Sequence, residues 1–347
     1  MYASDKNMIK TMKERRAIGE FVRGVSSARN WIRKNDGGDD DGGGNCRYPP
    51  ANGRYHLYVA YNCPWCHRVL LARALLGLED AISVDVLYPN RSSNDESSGP
   101  NLWKFCPEGQ VGMNGQHTQF PECTEDSLHS KRYIKEVYEL AGIDDQKTVP
   151  LLFDRETNTV VNNESADIIR MFATSMTPFH TTLPSIDLYP SDKADEIDEL
   201  NDWIYKEVAN GSYKAGFSSN QDVYETAYQT YFTALDRLNT ILATKKYLTG
   251  STVVEADLRL FPTMYRHDPI YYLRFKLNAK YLWEYKNLWR WMGDMISLEG
   301  MESVSNARYL AHCKQGYFGR TWNGTIPIGP GGYPECYKNR EWPISKN

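Results

Sequence analysis

A junction between a strand and a helix that carries two cysteines constrains this chain more than any other feature. The segment Cys63–Arg68, with the sequence CPWCHR, holds two thiols and two potential cations. It follows an alternating β-rich run that ends at Ala60 and precedes a run of strong helix formers. Pro64 falls at the first helical position, where its missing N–H costs no hydrogen bond. Cys63 is then the predicted N-cap, where unpaired amides and the helix dipole lower the pKa of a thiol and favour the nucleophilic thiolate.

The pair of cysteines has two other interpretations. It is half of the ligand set of a structural zinc ion, but the sequence has no second C-x-x-C or H-x-x-x-H pair to complete a tetrahedron. A free cysteine is also often a small buried hydrophobic residue without chemistry. Pro64 and the strand-to-helix setting favour chemistry instead. We therefore predict no metal site, a reactive thiol at Cys63 and a candidate resolving thiol at Cys66.

The first half of the chain has the order of elements expected of a thioredoxin-like domain. A strand, a helix and a second strand form a βαβ opening, and a helix, two strands and a helix follow. These elements are predicted at Tyr55–Ala60, Val69–Leu78, Ile82–Tyr88, Lys131–Ala141, 149–154, 159–161 and 164–172. Ser165 is the predicted N-cap of the last helix. The polar stretch from Asn90 to Gln119 is too long for an ordinary connection, and we expect it to shape a site or to be mobile.

Pro150 stands immediately before a short central strand of this predicted domain. The thioredoxin-like fold carries a cis proline at this place. An ordinary trans proline on an edge strand is the alternative, and base rates alone favour it. The presence of Cys63 at the expected junction favours the cis form.

The second half of the chain, after Pro190, has long amphipathic helices and no strand signal. Its many tryptophans are interpreted as core packing rather than as a cage around a ligand. The predicted fold class is thus an α/β thioredoxin-like N-terminal domain followed by an all-α C-terminal domain. Four regions are predicted, namely an N-terminal arm with an acidic glycine loop at 1–47, a thioredoxin-like domain at 48–175, an all-helical domain at 186–316 and a C-terminal extension at 317–347.

Length and composition limit the classes of function. A chain of 347 residues can hold two domains with cores of their own. Its net charge of -4 gives no electrostatic reason to bind nucleic acid, and no apolar run is long enough to span a membrane. Seven scattered cysteines, an odd number, suit a reducing compartment. We therefore expect a cytoplasmic protein without a nucleic-acid or membrane partner.

A thioredoxin-like unit followed by a helical unit is the architecture of glutathione transferases, and the chain resembles the xi class of that family, the glutathionyl-hydroquinone reductases. The active-site string of the family is Cys-Pro-Trp-Ala-His-Arg, which this chain matches except at Cys66. Further strings similar to those of the family occur in order at Gly19–Arg23, Arg29–Ile32, Thr148–Pro150, Val161–Arg170, Tyr213–Phe217, Tyr247–Gly250, Glu255–Leu260, Asp268–Pro269 and Ile326–Pro330.

The resemblance implies glutathione as co-substrate and places its binding residues. Backbone amides at Glu164 and Ser165, at a helix start, suit the γ-glutamyl carboxylate. Val149, before Pro150, offers its N–H and C=O to the cysteinyl part of the tripeptide as an added strand would. Trp103 resembles a tryptophan that the family brings to the glutathione site from a long loop. A core aromatic that anchors this loop is the alternative for Trp103.

The resemblance also implies a reaction and a second binding site. The Cys63 thiolate attacks the sulfur of a glutathionyl-hydroquinone, forms a mixed disulfide with glutathione and is restored by a second glutathione. Tyr213 resembles the family tyrosine that binds the hydroquinone oxygen. His312 matches a family histidine that is followed by two tyrosines, but here Cys313 and Lys314 take their places. This departure concerns the hydroquinone side of the site.

Two alternatives to this function follow from the departures. Cys66 replaces the alanine of the family, so an internal disulfide with Cys63 can compete with the mixed disulfide, as in glutaredoxins. The chain is then a glutaredoxin-like thioltransferase that acts on glutathione mixed disulfides. A glutathione-binding homologue without turnover is the other alternative. The resemblance further implies a homodimer formed through the helical domain.

Overall fold

Two units, each discontinuous in sequence, make up the described part of this computed structural model, which comprises residues 14–33, 46–92, 101–182, 186–329 and 332–340. One unit joins the chain up to Val25 to Asp192–Gly293, and the other joins Ser26–Ser191 to the chain from Asp294 onward. The acidic glycine run at 36–44 lies outside the described residues. The predicted boundaries of the four regions stay a prediction.

A four-stranded mixed sheet forms the centre of the second unit. Its strands stand in the order β2 (Ile82–Val86), β1 (Tyr55–Val59), β5 (Leu151–Asp154) and β6 (Thr159–Asn162), with β1 and β2 parallel and the remaining pairs antiparallel. Its elements are β1 Tyr55–Val59, α1 Pro64–Leu75, β2 Ile82–Val86, β3 Gln110–Val111, β4 His117–Thr118, α2 Ile134–Leu140, β5 Leu151–Asp154, β6 Thr159–Asn162 and α3 Ser165–Thr174. The predicted thioredoxin-like order is confirmed, with element ends that differ by a few residues.

Burial explains why β1 lies inside this sheet. All five of its residues are buried, and each fully buried aliphatic side chain contributes about 1.5–3 kcal/mol. The open edge at β6 is covered by the chain before it. Arg29 pairs with Asn162 in an antiparallel bridge, and Asn30 N–H donates to Val161 O at 3.0 Å. This cover removes an edge that otherwise invites pairing with another chain.

The long connection after β2 is fastened by backbone hydrogen bonds where it is described. Tyr88 N–H donates to Lys104 O at 2.9 Å, and Ser92 N–H donates to Leu102 O at 2.8 Å. Ile134 N–H, at the start of α2, donates to Trp103 O at 3.1 Å. The segment around Trp103 is therefore held between the end of β2 and the start of α2. The β3–β4 hairpin follows it.

The helical unit is built from amphipathic helices, as predicted. Its elements are α4 Ala194–Trp203, a π-helical segment Ile204–Ala209, α5 Asn210–Gly216, α6 Gln221–Ile241, α7 Glu255–Arg266, a second π-helical segment His267–Tyr271, α8 Tyr272–Arg274 and α9 Lys286–Ile296. Asn220 caps α6 by accepting a hydrogen bond from Val223 N–H at 3.2 Å. The core face of α6 buries Ala227, Tyr231, Leu235 and Leu238.

The tryptophans of this unit lie in its core. Trp203, Trp283, Trp289 and Trp291 are at most 9% exposed. Trp291 donates its indole N–H to Asp257, whose carboxylate also accepts from Val254 N–H at the start of α7. Packing therefore accounts for these rings. No helix among the described residues combines the length and the apolar character needed to cross a bilayer.

Two C-terminal helices belong to the thioredoxin-like unit. They are α10 Ala307–Phe318 and α11 Glu335–Asn339. Helix α10 packs against the β1–α1 loop so closely that only a glycine fits at the contact. A Cβ added to Gly316 would lie 2.0 Å from Nδ2 of Asn62. Asn62 in turn donates to Pro89 O at 3.0 Å, so the loop before Cys63 is held from two sides.

Candidate active site

Cys63 occupies the N-cap of α1, as predicted. Its backbone is extended, with φ -78° and ψ 119°, and Pro64 starts the helix. The side chain is only 8% exposed, and its sulfur lies 3.6 Å from Val149 O. The thiol therefore sits between the first turn of a helix and the segment that leads into β5.

Four groups act on the ionisation of Cys63. Burial raises the pKa of its thiol. Four groups lower it by a larger amount, namely the Cys66 side chain and the amides of Cys66 and Trp65, which donate hydrogen bonds, and the charged Arg91. The balance holds the pKa of Cys63 at about 6. Most of the Cys63 side chain is therefore thiolate at neutral pH, and the thiolate is the nucleophilic form. Arg91 was not found from the sequence because no local motif connects it with Cys63.

The two cations of the motif have other neighbours. The Arg68 guanidinium lies over the Trp65 ring, 4.4 Å from its centroid. The His67 ring packs against Tyr309 with centroids 4.4 Å apart. Both side chains are at most 2% exposed. They pack the start of α1, and Arg91 is the cation whose charge favours the Cys63 thiolate.

Cys66 is fully buried in the first turn of α1. Its sulfur accepts a hydrogen bond from Ala60 N–H at 3.4 Å, and its thiol donates to Cys63. The Cys66 side chain thus favours the thiolate form of Cys63. No group of three or more potential metal ligands occurs in the described ranges of the chain.

The peptide bond between Val149 and Pro150 is cis, as predicted. Val149 is 6% exposed, and its carbonyl faces the Cys63 sulfur. Within the described part of the chain, its N–H donates to no acceptor. An extended peptide beside Val149 would find a donor and an acceptor on one residue, next to the thiol.

The start of α3 differs from the prediction in one respect. We expected Ser165 to be the N-cap of this helix, and this is wrong, because Glu164 is the N-cap and Ser165 is the first helical residue. The Glu164 carboxylate accepts from Ala166 N–H at 3.1 Å, and Glu164 N–H donates to Asn162 Oδ1 at 2.7 Å. Ser165 N–H has no acceptor among the described residues. A donor amide and a carboxylate therefore stand side by side at this helix start.

Trp103 serves as an anchor of its loop. It is 4% exposed, and the Arg91 guanidinium lies over its ring, 4.3 Å from the centroid. Its carbonyl accepts from Ile134 N–H, as described above. The core interpretation of Trp103 thus has direct support, and its role in glutathione binding stays a prediction. Trp103 therefore also contacts the guanidinium whose charge lowers the pKa of Cys63.

Helix α10 places aromatic side chains behind the motif. Tyr309 stacks on Tyr61 with centroids 4.7 Å apart and is 1% exposed. The His312 ring is fully buried against Phe120, and its Nε2 lies 3.2 Å from Glu122. Burial lowers the pKa of His312. In this structure His312 packs the wall behind the active-site loop, and its contact with a hydroquinone stays a prediction.

Cys313 and Lys314 have separate partners. The Cys313 thiol is fully buried and donates to Tyr61 O at 3.4 Å. The Lys314 ammonium donates to Ile328 O at 2.7 Å, and burial lowers its pKa. Cys313 therefore supports the β1–α1 loop, and Lys314 fastens the segment that follows α10.

Tyr213 lies in the helical unit, within a cluster of aromatic rings. Its ring centroid is 5.8 Å from that of Phe21, 5.5 Å from Phe217 and 5.2 Å from Phe275. The Arg23 guanidinium lies over the ring at 4.7 Å. The other candidate site residues, from Cys63 to His312, all belong to the thioredoxin-like unit. Tyr213 as a hydroquinone-binding residue stays a prediction.

Two family models match the chain. Residues 62–175 match the N-terminal domain of glutathione S-transferases, and residues 221–294 match their C-terminal domain. The glutathionyl-hydroquinone reductase YqjG of Escherichia coli K12 is 37% identical over 318 residues, which cover 90% of this chain and 89% of that protein. The glutathionyl-hydroquinone reductase PcpF of Sphingobium chlorophenolicum is 36% identical, with 90% of each chain covered.

Solved structures give the same result. The xi glutathione S-transferase from Phanerochaete chrysosporium superimposes with a TM-score of 0.77 at 38% identity, and covers 94% of this chain and 95% of its own. The glutathione-bound structure of YqjG has a TM-score of 0.76 at 36% identity, with 90% and 96% covered.

Proposed function

Because the chain belongs to the xi class of the glutathione S-transferase family, we propose that it is an enzyme that uses glutathione to reduce S-glutathionyl-hydroquinones to hydroquinones. The observation that carries this proposal is the Cys63 thiol at the start of α1, 3.6 Å from Val149 O, with its pKa lowered to about 6. A hydroxyl in that place could not form a disulfide with glutathione, so the thiol favours reduction over conjugation.

The backbone around Cys63 complements glutathione group by group. Val149 N–H and C=O suit the cysteinyl part of the tripeptide, which then lies beside Cys63 as an added strand. The γ-glutamyl end carries a carboxylate and an ammonium group. Ser165 N–H, at the positive end of α3, suits the carboxylate, and the Glu164 carboxylate suits the ammonium group. Trp103 and Arg91 complete the proposed glutathione side of the site.

The proposed reaction proceeds by two exchanges at sulfur. The Cys63 thiolate attacks the glutathionyl sulfur, a sulfur–sulfur bond forms and the bond from sulfur to the ring carbon breaks. The ring carbon takes a proton, and the hydroquinone leaves. A glutathione thiolate then attacks the mixed disulfide, which gives oxidised glutathione and restores Cys63. Arg91 favours the thiolate both before the first exchange and as the leaving group of the second.

Two residues, Tyr213 and His312, are proposed for the hydroquinone on the resemblance to the family. The Tyr213 phenol would bond a ring oxygen, since its half-buried aromatic cluster offers an apolar surface with one polar end. His312 is fully buried, so in this proposal it acts by packing α10 behind the active-site loop. Cys313 and Lys314 offer no phenol where family members have two, so we expect this enzyme to bind hydroquinones with fewer hydrogen bonds.

Steady-state assays test this function. Turnover of glutathionyl-menadiol is compared with turnover of the mixed disulfide of glutathione and hydroxyethanethiol. We expect the quinol substrate to have the higher kcat/KM. The hydrogen bond from the Cys66 side chain that lowers the pKa of Cys63 is the observation that favours a glutaredoxin-like thioltransferase instead. A strong preference for the disulfide, with Cys66→Ala improving the quinol activity, would assign that second function.

We also propose a homodimer formed through the helical unit, on the resemblance to the family. Light scattering coupled to size exclusion tests it, and a monomer at micromolar concentration contradicts it. A cytoplasmic location is proposed because all seven cysteines are free thiols, as expected of a reducing compartment.

A further inference from the structure

The residue that most distinguishes this active site from the string of its family is Cys66. The family has alanine at this place, which carries no chemistry. Here a second thiol is fully buried and donates a hydrogen bond to the Cys63 sulfur. The one-thiol reaction described above uses Cys63 alone and gives Cys66 no step.

We propose that Cys66 resolves the mixed disulfide between Cys63 and glutathione, so that glutathione is released by the enzyme itself and an internal Cys63–Cys66 disulfide remains. This inference rests on the proposed function, because the mixed disulfide is its intermediate. It adds a form of the enzyme that the one-thiol cycle does not contain.

The surroundings of the two sulfurs fit this step. Cys63 and Cys66 lie three residues apart at the start of α1, so their side chains are on the same side of the first turn. The second neighbour of the Cys63 sulfur, Val149 O, comes from a different element, where the glutathione backbone is proposed to lie. Ala60 N–H donates to the Cys66 sulfur at 3.4 Å, which stabilises negative charge on that sulfur when it loses its proton.

Burial restricts Cys66 to this one reaction. With no exposed surface, its sulfur is closed to glutathione disulfide and to other external reagents, whereas Cys63 is 8% exposed. Cys66 can still react with the mixed disulfide at Cys63 without being exposed, because the fold holds the two residues together and no collision through solvent is needed. Well-oriented groups in one molecule react as if present at about 10⁵ M or more, far above any concentration of free glutathione.

The step balances without a further oxidant. The Cys66 sulfur forms a bond to the Cys63 sulfur, and the bond between Cys63 and the glutathione sulfur breaks. The proton of the Cys66 thiol leaves with glutathione, which departs as the thiol. Two glutathione molecules later reduce the internal disulfide to two thiols and leave as glutathione disulfide. The overall reaction is the same as in the one-thiol cycle. The two cycles differ only in the form of the enzyme that accumulates without glutathione, which we call the resting form.

The inference has a consequence for regulation. When glutathione is scarce, the enzyme stops as the internal disulfide, in which Cys63 cannot be oxidised further to a sulfinic acid. The Cys66→Ala variant stops as the glutathione adduct instead. The resting form thus reports directly on the role of Cys66.

The test is a single turnover without free glutathione. Full-length wild-type, Cys66→Ala and Cys46→Ala proteins are each mixed with one equivalent of glutathionyl-menadiol, quenched in acid and digested with trypsin. Cys63 and Cys66 stay on one peptide, from Tyr55 to Arg68, because no lysine or arginine separates them. Cys46 is partly exposed and serves as the control for adducts at other thiols.

In the wild-type and Cys46→Ala proteins we expect this peptide to lose two hydrogens, with one equivalent of glutathione in solution. In Cys66→Ala we expect one glutathionyl group to remain on Cys63. A wild-type peptide that keeps the glutathionyl group, as the variant does, overturns the inference and leaves the proposed function standing. If menadiol is released from none of the proteins, even after free glutathione is added, the proposed function itself fails.

Discussion

The two sides of the active-site loop are built from different kinds of groups. On one side, which we call the amide face, Val149 and Ser165 present backbone N–H groups with no acceptor among the described residues. On the other side, the α10 wall, Tyr309, His312 and Cys313 present fully or almost fully buried side chains. The amide face lies within strings that resemble those of the family, and the α10 wall contains Cys313, where that resemblance is broken.

This difference indicates where the chemistry of the family is constant and where it can change. A backbone donor needs only the right local conformation, which the cis Val149-Pro150 bond and the start of α3 supply. A wall of side chains changes its shape and polarity with each substitution. We therefore expect the amide face to bind the co-substrate glutathione, and we expect preferences among hydroquinones to arise at the α10 wall.

Replacement of the thiol between the two sides should have the largest effect. Cys63→Ser should lower kcat/KM for glutathionyl-menadiol by at least about 10³-fold, because a hydroxyl forms no mixed disulfide. Glutathione binding, measured by calorimetry, should remain, since the amide face is unchanged. Turnover within tenfold of wild type would contradict the mechanism.

Removal of one hydrogen-bond donor from the amide face should have the second largest effect. Ser165→Pro deletes the N–H at the first helical position together with the hydroxyl. Proline is well accommodated there, and Glu164 already has the extended backbone that a following proline requires. Loss of a hydrogen bond to a charged group, about 1.5–3 kcal/mol, should raise the Kd for glutathione about tenfold or more.

The matched control for this variant is Ser165→Ala, which keeps the N–H and removes the hydroxyl. We expect its Kd to stay within about threefold of wild type. Equal weakening by both substitutions would assign the binding to the hydroxyl rather than to the backbone.

The pH dependence of Cys63 tests the contact between the two thiols. The rate of its alkylation by iodoacetamide should rise with pH, with a midpoint at about pH 6, and level off above it, because only the thiolate reacts. In Cys66→Ala a hydrogen bond to the thiolate is lost. The pKa of Cys63 should then rise by about 1 or more, so that alkylation at pH 6 slows about fivefold or more. An unchanged profile would show that Cys66 does not bond the thiolate.

The same ionisation links stability to pH. The pKa of Cys63 is lower in the folded protein than the ordinary value of 9.0, so between about 6 and 9 the unfolded chain binds more protons. The contribution to the free energy of unfolding is fully present above pH 9 and is lost as the pH falls to about 6. Cys63→Ser should flatten the stability curve over this range in urea titrations.

The smallest effect is expected where α10 packs on the loop. Gly316→Ala places a Cβ 2.0 Å from Asn62 Nδ2 and 2.6 Å from its Cβ, so α10 or the loop must shift. Such overpacking costs about 1–3 kcal/mol, measurable by urea unfolding. Gly24→Ala is the control, since no atom lies within 4 Å of its added Cβ. Equal stability of the two variants would contradict the close contact at Gly316.

The amide face could be predicted from the sequence, because local patterns determine it. A proline after Cys63, a proline before β5 and an acidic residue at the start of α3 each fix the backbone within a few residues. The predicted N-cap of α3 is one residue late. The Asn162 side chain accepts a hydrogen bond from Glu164 N–H, and the sequence pattern does not show this contact. Roles in binding and catalysis remain predictions.

The α10 wall and Arg91 could not be predicted in the same way. The approach of Gly316 to Asn62 and the charge of Arg91 near Cys63 join residues that are far apart in sequence. Their positions follow from how the long connection and the C-terminal helix pack, and no local motif encodes that packing. The family resemblance pointed to His312, but not to its burial against Glu122 and Phe120.

The central claim is that Cys63 itself takes glutathione from the aromatic ring, and the stoichiometry of menadiol release tests it most directly. Wild-type enzyme in excess is mixed with glutathionyl-menadiol without free glutathione, and menadiol is measured in the quenched solution. We predict release of one equivalent of menadiol per equivalent of substrate, and none with Cys63→Ser. Release from the wild-type enzyme only after free glutathione is added would contradict the account, because glutathione and not Cys63 would then be the nucleophile.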